Sequence, residues 1–369
     1  MKKKEYRRFI EHMHHFLVGL PDSRVLIPLL ETRLSPEEAE FLAGFPFLPH
    51  TIEQLADKFK IPVKQLFAKL DPLARRGLIF RHESSHSIRY ALNDSMFVFY
   101  RSPFWSGKED QKSRRLAMLS NRYYFEGYGQ EFGSYPTMGL RTIPVNKTIP
   151  DTRQIKAYED VVRVVEEEDF FCVAHCPCRE RKNLDPDSPS CLHETFNCLH
   201  FGRLARYMVN QEMGKEINRE ETMNTLEAAA DAGLVHGISV NKTGIDTICN
   251  CCSCCCMFLE SVHVLGLNGH QPSNYIINIH TETCQGCGLC TKRCPMKALK
   301  LVASDETDNK TGKVSVLDPE RCIGCGVCAH KCPTKSLMLI HREEEQDYPE
   351  NLRELAHRMG NERGKEPFS

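Results

Sequence analysis

Cys284-Gln-Gly-Cys287-Gly-Leu-Cys290-Thr-Lys-Arg-Cys294-Pro295 is followed by Cys322-Ile-Gly-Cys325-Gly-Val-Cys328-Ala-His-Lys-Cys332-Pro333. The run Cys-x2-Cys-x2-Cys-x3-Cys-Pro is thus written twice. Close spacing lets three thiolates of one loop grip three irons of a cubane, while the fourth cysteine reaches across to the other cluster. The spacing therefore predicts Cys284, Cys287, Cys290 and Cys332 around one [4Fe-4S] cluster, and Cys322, Cys325, Cys328 and Cys294 around the second. Gly286, Gly288, Gly324 and Gly326 are expected to let the backbone wrap close to inorganic sulfide, where a Cβ would crowd it. Pro295 and Pro333 then turn the chain away from each cluster. Zinc also uses Cys-x2-Cys pairs, but it takes four ligands per site, commonly as two separated pairs. Four cysteines within eleven residues, duplicated and each time closed by proline, fit clusters instead.

The stretch resembles the bacterial dicluster ferredoxin domain over residues 276–342, and the resemblance implies a compact two-cluster module. Asp305 to Lys313 reads as an insertion between the two motifs, a solvated hairpin turning at Thr311-Gly312. The charged tail, residues 343–369, is expected to be a short exposed helix or disordered.

The chain has 369 residues, enough for two or three domains with ordinary cores. A net charge of -1 with 26% charged residues does not mark the whole protein as nucleic-acid-binding. Nineteen cysteines read as metal-thiolate chemistry in a reducing cytosol, since no secretory signal accompanies them. Arg7-Arg8-Phe9 is faintly similar to a twin-arginine signal, but Glu11, His12, His14 and His15 interrupt the apolar run that signal requires. No stretch approaches the length of a membrane span. The expectation is a cytoplasmic protein without membrane insertion.

Working toward the N-terminus, residues 1–34 begin basic and carry Phe9, Ile10, Met13, Phe16 and Leu17 at helical spacing, which predicts a docking helix with His12, His14 and His15 on its solvated side. In residues 35–100, Ser35-Pro36-Glu37-Glu38 opens a capped helix, and Thr51-Ile52-Glu53-Gln54 is a capping box for a second. A third helix directs Val63, Leu66, Phe67, Leu70 and Leu73 to the core and ends at Gly77. Leu78 to Phe80 and Ile88 to Leu92 pair as a wing, with His82 to Ser87 at its tip. This resembles the winged-helix fold of many bacterial regulators. A DNA-reading version presents Lys and Arg on its third helix and wing. Here Lys64, Lys69, Arg75, Arg76, Arg81 and Arg89 are diluted by Asp71 and Glu83. Residues 1–100 hold 15 Lys and Arg against 12 Asp and Glu, a net of +3. A protein-docking role is favoured over DNA. Residues 101–154 form an aromatic, glycine- and proline-rich connector. Its Gly127-Tyr-Gly129-Gln-Glu-Phe-Gly133 misses the dinucleotide fingerprint by one residue and reads as a packed loop.

Residues 155–275 are read as a mostly helical, cysteine-rich domain with helices over Tyr158 to Glu168, Cys198 to Asn210 and Arg219 to Ala232, the last capped by Asn218. Cys176, Cys178, Cys191 and Cys198 supply four thiolates, the count for one more [4Fe-4S] cluster or one zinc. Arg179 and Arg181 are expected to offset thiolate charge, Cys172 to be a buried core thiol, and His193 and His200 to be structural. Cys249-Asn-Cys251-Cys252-Ser-Cys254-Cys255-Cys256 packs six cysteines into eight residues. Adjacent cysteines, with Cα atoms about 3.8 Å apart, make poor disulfides. The helix that follows is expected to lower their thiol pKa values, so metal ligation is the reading. With the helical stretch 199–248 folded as a hairpin, the two cysteine groups are expected to reach the same end and form metal sites together. The set of features is similar to that of uncharacterised iron–sulfur proteins of anaerobes over roughly residues 35 to 342, a resemblance that implies no assigned reaction.

The fold class expected is therefore α+β multidomain: a winged helix, a cysteine-rich middle and a dicluster ferredoxin end. The function expected is electron relay through two [4Fe-4S] clusters and one or two further Fe–S or other metal sites, between protein redox partners. No nicotinamide or flavin fingerprint is present. The alternatives are an iron–sulfur redox-sensing transcriptional regulator and an oxidoreductase subunit with a catalytic metal at the six-cysteine run.

Overall fold

The computed structural model describes residues 3–84, 87–150, 155–305 and 307–366. The chain divides into two compact units, the first holding residues 1–137, 172–216 and 356–369, the second 138–171 and 217–355.

The first unit begins with α1 (Lys3–Met13), α2 (Leu26–Arg33) and α3 (Pro36–Leu42). The apolar face of α1 buries Tyr6, Phe9 and Met13 within its own unit. His12 is not on a solvated side: it stacks on Phe47 at 4.5 Å, and its Nε2 lies 2.7 Å from the Phe45 carbonyl. Ser35 caps α3 with a complete capping box to Glu38. β1 (His50–Thr51) leads into α4 (Ile52–Phe59), where Thr51 and Gln54 form a second box. α5 (Val63–Arg75), β2 (Ile79–Glu83) and β3 (Ile88–Leu92) follow, and the strands form an antiparallel sheet in the order β1-β3-β2. Of the five apolar side chains assigned to the core of α5, Leu66, Leu70 and Leu73 are buried, whereas Val63 and Phe67 are 43% and 38% exposed. They start the helix on its outer side. Of the expected turn between β2 and β3, Ser85 and His86 lie outside the described residues. α6 (Gln111–Tyr123) runs through a π-helical turn at Tyr124–Tyr128 into α7 (Gly129–Gly133). After a kink at Gly127 the glycine-rich stretch is helical from Tyr128 to Gly133 rather than a loop, and Tyr128 packs on Tyr100 at 4.6 Å.

Next come β4 (Leu140–Thr142) and α8 (Val161–Glu166), both of the second unit. The helix expected over Tyr158 to Glu168 is shorter, because the Asp160 carboxylate accepts from the amides of Val162 and Arg163 and starts it there. The chain then supplies β5 (Phe171–His175), α9 (Pro177–Asn183), β6 (Phe196–Phe201), α10 (Gly202–Asn210) and β7 (Lys215–Ile217). In the first unit β6, β5 and β7 are neighbours in that order. Cys198 to Phe201 is strand, not the start of a helix. The turn into α10 comes at Gly202, whose φ of 53° suits glycine. The Tyr207 hydroxyl of α10 lies 2.9 and 3.0 Å from the carbonyl oxygens of Ala74 and Ile79, between which its one proton is shared.

In the second unit α11 (Arg219–Asp231) starts at Asn218, the cap its sequence predicts, which forms a capping box with Glu221. β8 (Val235–Ser239), β9 (Thr247–Cys251) and α12 (Met257–His263) follow. β4, β8 and β9 lie antiparallel in that order, with Val235 opposite Cys251. Residues 155–275 are therefore mixed strand and helix, and 199–248 is no helical hairpin, since β6, β7 and β8 punctuate it.

The C-terminal part of this unit is an internal duplication. β10 (Tyr275–Ile279), α13 (Leu289–Arg293), β11 (Leu299–Ala303), β12 (Lys313–Leu317), α14 (Val327–His330) and β13 (Leu337–His341) arrange as two hairpin-like pairs. β10 pairs with β13 and β11 with β12, both antiparallel. Lys297 and Lys335, each two residues after a motif proline, share a positive φ of 52° and 53°. The insertion is a loop on the β11–β12 hairpin, folded back on the first motif by an Asn309 side-chain bond to the Cys284 carbonyl at 2.7 Å. Glu306 lies outside the described residues. The described residues of the tail, up to 366, form a loop and a helix that is partly buried rather than exposed. Tyr348 is buried and donates to the Pro272 carbonyl at 2.7 Å. α15 (Leu352–Arg363) buries Leu355, Ala356 and Met359. Among the described residues no helix is long and apolar enough to cross a membrane.

Candidate metal centres

Each motif loop leaves its cysteines facing a cavity rather than one another. One cavity is walled by Cys284, Cys287, Cys290 and, from the second motif, Cys332. The other is walled by Cys322, Cys325, Cys328 and, from the first motif, Cys294. The exchange follows from topology. α13 and α14 pack together, and the cysteine just beyond each helix, Cys294 or Cys332, walls the other loop's cavity. Pro295 and Pro333 remain in the cavity walls.

The electrostatics suit thiols that wait for a cationic centre. Burial pushes Cys325 up to about 12, and raises Cys328, Cys290 and Cys294 as well. A metal centre deprotonates a coordinating thiol outright and so removes this penalty. Amides are already turned toward the sulfurs. Ala298 donates to Cys294 Sγ at 3.2 Å. At Cys332, where burial alone would raise the pKa, the Leu337, Thr334 and Ser336 amides and the Thr334 hydroxyl hold it below the usual thiol value. Such donors stabilise a cluster's thiolates and tune its potential.

At Gly286 and Gly324 the fold adds a second requirement for glycine beside the one expected from the sequence. A Cβ on Gly286 would fall 2.1 Å from Thr311 Oγ1 and 2.4 Å from the Lys313 carbonyl oxygen. On Gly324 it would fall 2.1 Å from the Tyr275 carbonyl oxygen. Both have positive φ, so conformation and the hairpin behind them, as much as any sulfide in front, require glycine.

The module is joined to the rest of its unit by bonds that spacing did not reveal. The Arg293 guanidinium donates to the carbonyls of Ala230, Asp231 and Val327 at 2.9, 3.0 and 3.1 Å. Asp231 also receives His330 at 2.7 Å and Lys331 at 2.6 Å, which holds its carboxyl down at about 2. The Val145 amide donates to the Cys325 carbonyl at 3.1 Å. The only sequence sign of these is their position beside motif cysteines. A cavity of about 160 Å³ adjoins this seam, lined by Val145, Val161, Leu226 and Ala230 with His236 and His330. The His236 ring is buried, bonded through Nδ1 to Asn250 Oδ1 at 2.7 Å, and burial lowers its pKa to about 4.

The four-cysteine group belongs to the first unit. Cys176 immediately precedes α9, Cys178 is in its first turn, Cys191 is in the loop after it and Cys198 is on β6. His175 is braced by Glu180 and Thr195 at 3.2 and 3.1 Å. His200 packs on Trp105 at 5.1 Å and places Nε2 3.3 Å from Cys198 Sγ, while His193 is half-buried. Arg179 and Arg181 do structural work. Arg179 donates to the Glu194 carbonyl at 2.7 Å and to Asn197 at 2.8 Å; Arg181 lies over Tyr100 and Tyr124 and bonds Asn121. Cys172 is fully buried, and burial raises its thiol to about 12.

The six-cysteine run belongs to the second unit. Cys249 and Cys251 are on β9, Cys252, Cys254 and Cys255 are in the turn, and Cys256 immediately precedes α12. Cys254 is exposed and Cys249 half-buried; the other four are buried. At Cys251 and Cys255 the surroundings do not produce the expected lowering. Thiol–thiol hydrogen bonds, then burial, raise Cys251 and Cys255 far above the ordinary value.

A family model described as a 4Fe-4S dicluster domain matches residues 283–336. Comparison with curated proteins and with solved structures found no match. The matched residues contain all eight cysteines of the two cavities and support [4Fe-4S] clusters as their occupants.

Proposed function

We propose that this chain is an iron–sulfur electron-transfer protein that passes single electrons through two [4Fe-4S] clusters. The observation that carries the reading is the crossed gathering of four thiols around each of two cavities, inside the residues matched by the dicluster model. One-electron transfer with little structural change is the chemistry such clusters supply. The chain's part is to hold eight thiolates, aim amides at sulfurs and bury the centres. Iron and acid-labile sulfide in the anaerobically purified full chain test this. About eight of each per chain must be present for the ferredoxin pair, and zinc in place of iron without sulfide would overturn it.

Elements α3 to β3 form a winged helix in this reading, and its role is to dock a protein redox partner. Four of its six candidate basic side chains are engaged: Arg75 with Asp71 at 3.0 Å, Arg81 with Asp71 at 3.4 Å and with Glu83, Arg76 with Glu38, and Lys69 over the Phe41 ring at 4.0 Å. Carboxylates that hold arginines also repel phosphate. The exposed Val63 and Phe67 add apolar surface to the same helix. Tight, steeply salt-dependent binding of the full chain to a specific duplex would favour the regulator instead.

A reducing oxidoreductase is the second reading, favoured by the cavity beside the second motif. Its volume of about 160 Å³ resembles that of an apolar cavity able to admit a single aromatic ring, and His330 in its wall is two residues from Cys328.

A further inference from the structure

Hydrogen bonds sort the six thiols of Cys249 to Cys256 into two sets. The Cys251 thiol bonds with those of Cys249 and Cys256. The Cys255 thiol bonds with those of Cys252 and Cys254, and Cys254 Sγ is 3.7 Å away. The sulfurs of Cys252, Cys254 and Cys255 all lie within 4.8 Å of one another. Backbone geometry accounts for the sorting. Side chains alternate along a strand, so Cys249 and Cys251 share one face of β9 while Asn250 takes the other and meets His236. After the strand the chain turns tightly, the amides of Cys255 and Cys256 lying 3.5 and 3.1 Å from the same Cys252 carbonyl oxygen. Sequence neighbours thereby join different sets.

We propose that Cys252, Cys254 and Cys255 hold a single tetrahedral divalent ion, zinc or iron, without inorganic sulfide, and that Cys251 takes no part in binding it. Zinc–thiolate bonds of about 2.3 Å in tetrahedral geometry put neighbouring sulfurs about 3.8 Å apart, the spacing found between Cys254 and Cys255. The thiols of the two ferredoxin motifs instead stand around cavities, as the larger span of a cubane requires. The trio supplies three of the four ligands a tetrahedral ion takes. Its exposed member, Cys254, puts the ion at an accessible edge, while Cys251 and Cys256 are buried. The inference rests on the reading of this run as metal-ligating, and it is independent of the ferredoxin clusters.

The test is iron, zinc and acid-labile sulfide in the anaerobically purified full chain and in Cys254→Ser, Cys255→Ala and Cys251→Ala. Wild type is expected to carry about one ion per chain unmatched by sulfide. Cys254→Ser and Cys255→Ala lose that ion and keep their sulfide; Cys251→Ala keeps it. Because Cys254 is exposed, its serine variant is the one that spares the fold, and an unchanged melting temperature checks this. Protein produced with cobalt(II) gives a second readout, a thiolate-to-cobalt charge-transfer band lost in Cys254→Ser. Absence of any sulfide-free ion in wild type overturns the proposal. So does sulfide that falls together with the ion in Cys254→Ser, or loss of the same ion in Cys251→Ala. Failure of the ferredoxin reading is distinct, since it removes sulfide and leaves this ion in place.

Discussion

Arg293 donates a 2.9 Å hydrogen bond to the carbonyl of Ala230, in the last turn of α11. The arginine immediately precedes Cys294, the cysteine that crosses from the first motif to the wall of the second cavity. One side chain therefore ties the exchanged cysteine to a helix far away in sequence. A cation at the C-terminal end of α11 also complements its dipole.

Replacing Arg293 with Ala removes three hydrogen bonds to carbonyls, although the Ala230 carbonyl still accepts from the Gly233 amide at 3.1 Å. Charge-assisted bonds of this kind contribute roughly 1.5–3 kcal/mol each when partly buried, and they do not add. The expected outcome is a lower unfolding midpoint and faster oxygen-driven loss of iron, while Arg293→Lys recovers part of both. Chemical denaturation followed by cluster absorbance measures this; an unchanged midpoint in the Ala variant contradicts it.

Gly324 and Gly244 both have positive φ, at 68° and 71°. A Cβ on Gly324 meets the Tyr275 carbonyl oxygen at 2.1 Å, whereas one on Gly244 meets nothing within 4 Å. Gly244→Ala should cost only the backbone strain, roughly 1 kcal/mol. Gly324→Ala must also displace β10, and is expected to yield protein with about half the ferredoxin iron. Equal iron contents in the two variants would contradict the steric account.

His236 gives a pH dependence whose sign is fixed. Burial depresses its folded pKa from 6.5 to about 4. Between those values the unfolded chain binds the extra proton and the folded chain does not. Stability is therefore greatest above pH 6.5, falls as pH drops toward about 4 and levels off below, by up to roughly 3 kcal/mol. His236→Gln should flatten this part of the profile relative to wild type. Denaturant midpoints of both proteins at pH 7.5 and 5 decide it, and equal slopes would sink the assignment.

The parts of the fold legible in the sequence are those whose causes are local. Ser35, Thr51 and Asn218 each cap a helix through a partner three residues on, so the starts of α3, α4 and α11 are written in four-residue windows. The two motif loops are equally local. The strands of the cysteine-rich stretch were hidden because Phe196-Asn-Cys-Leu-His-Phe201 lacks a plain polar–apolar alternation, and burial on both faces comes from distant partners. The tail misled for the same reason. Its charge predicts solvent, but Tyr348 reaches Pro272 and Arg363 stacks over Tyr135 at 3.9 Å. Within the six-cysteine run, residue type points to metal ligation, whereas only geometry sets Cys252, Cys254 and Cys255 apart.

The most direct test of the central claim is spectroscopy of reduced Cys294→Ala beside Cys287→Ala and Cys325→Ala. Cys287 walls the first cavity and Cys325 the second. Electron paramagnetic resonance of the anaerobically purified variants should show Cys294→Ala losing the same cluster signal as Cys325→Ala, although Cys294 stands in the first motif. A Cys294→Ala spectrum matching that of Cys287→Ala would contradict the crossed pair of clusters.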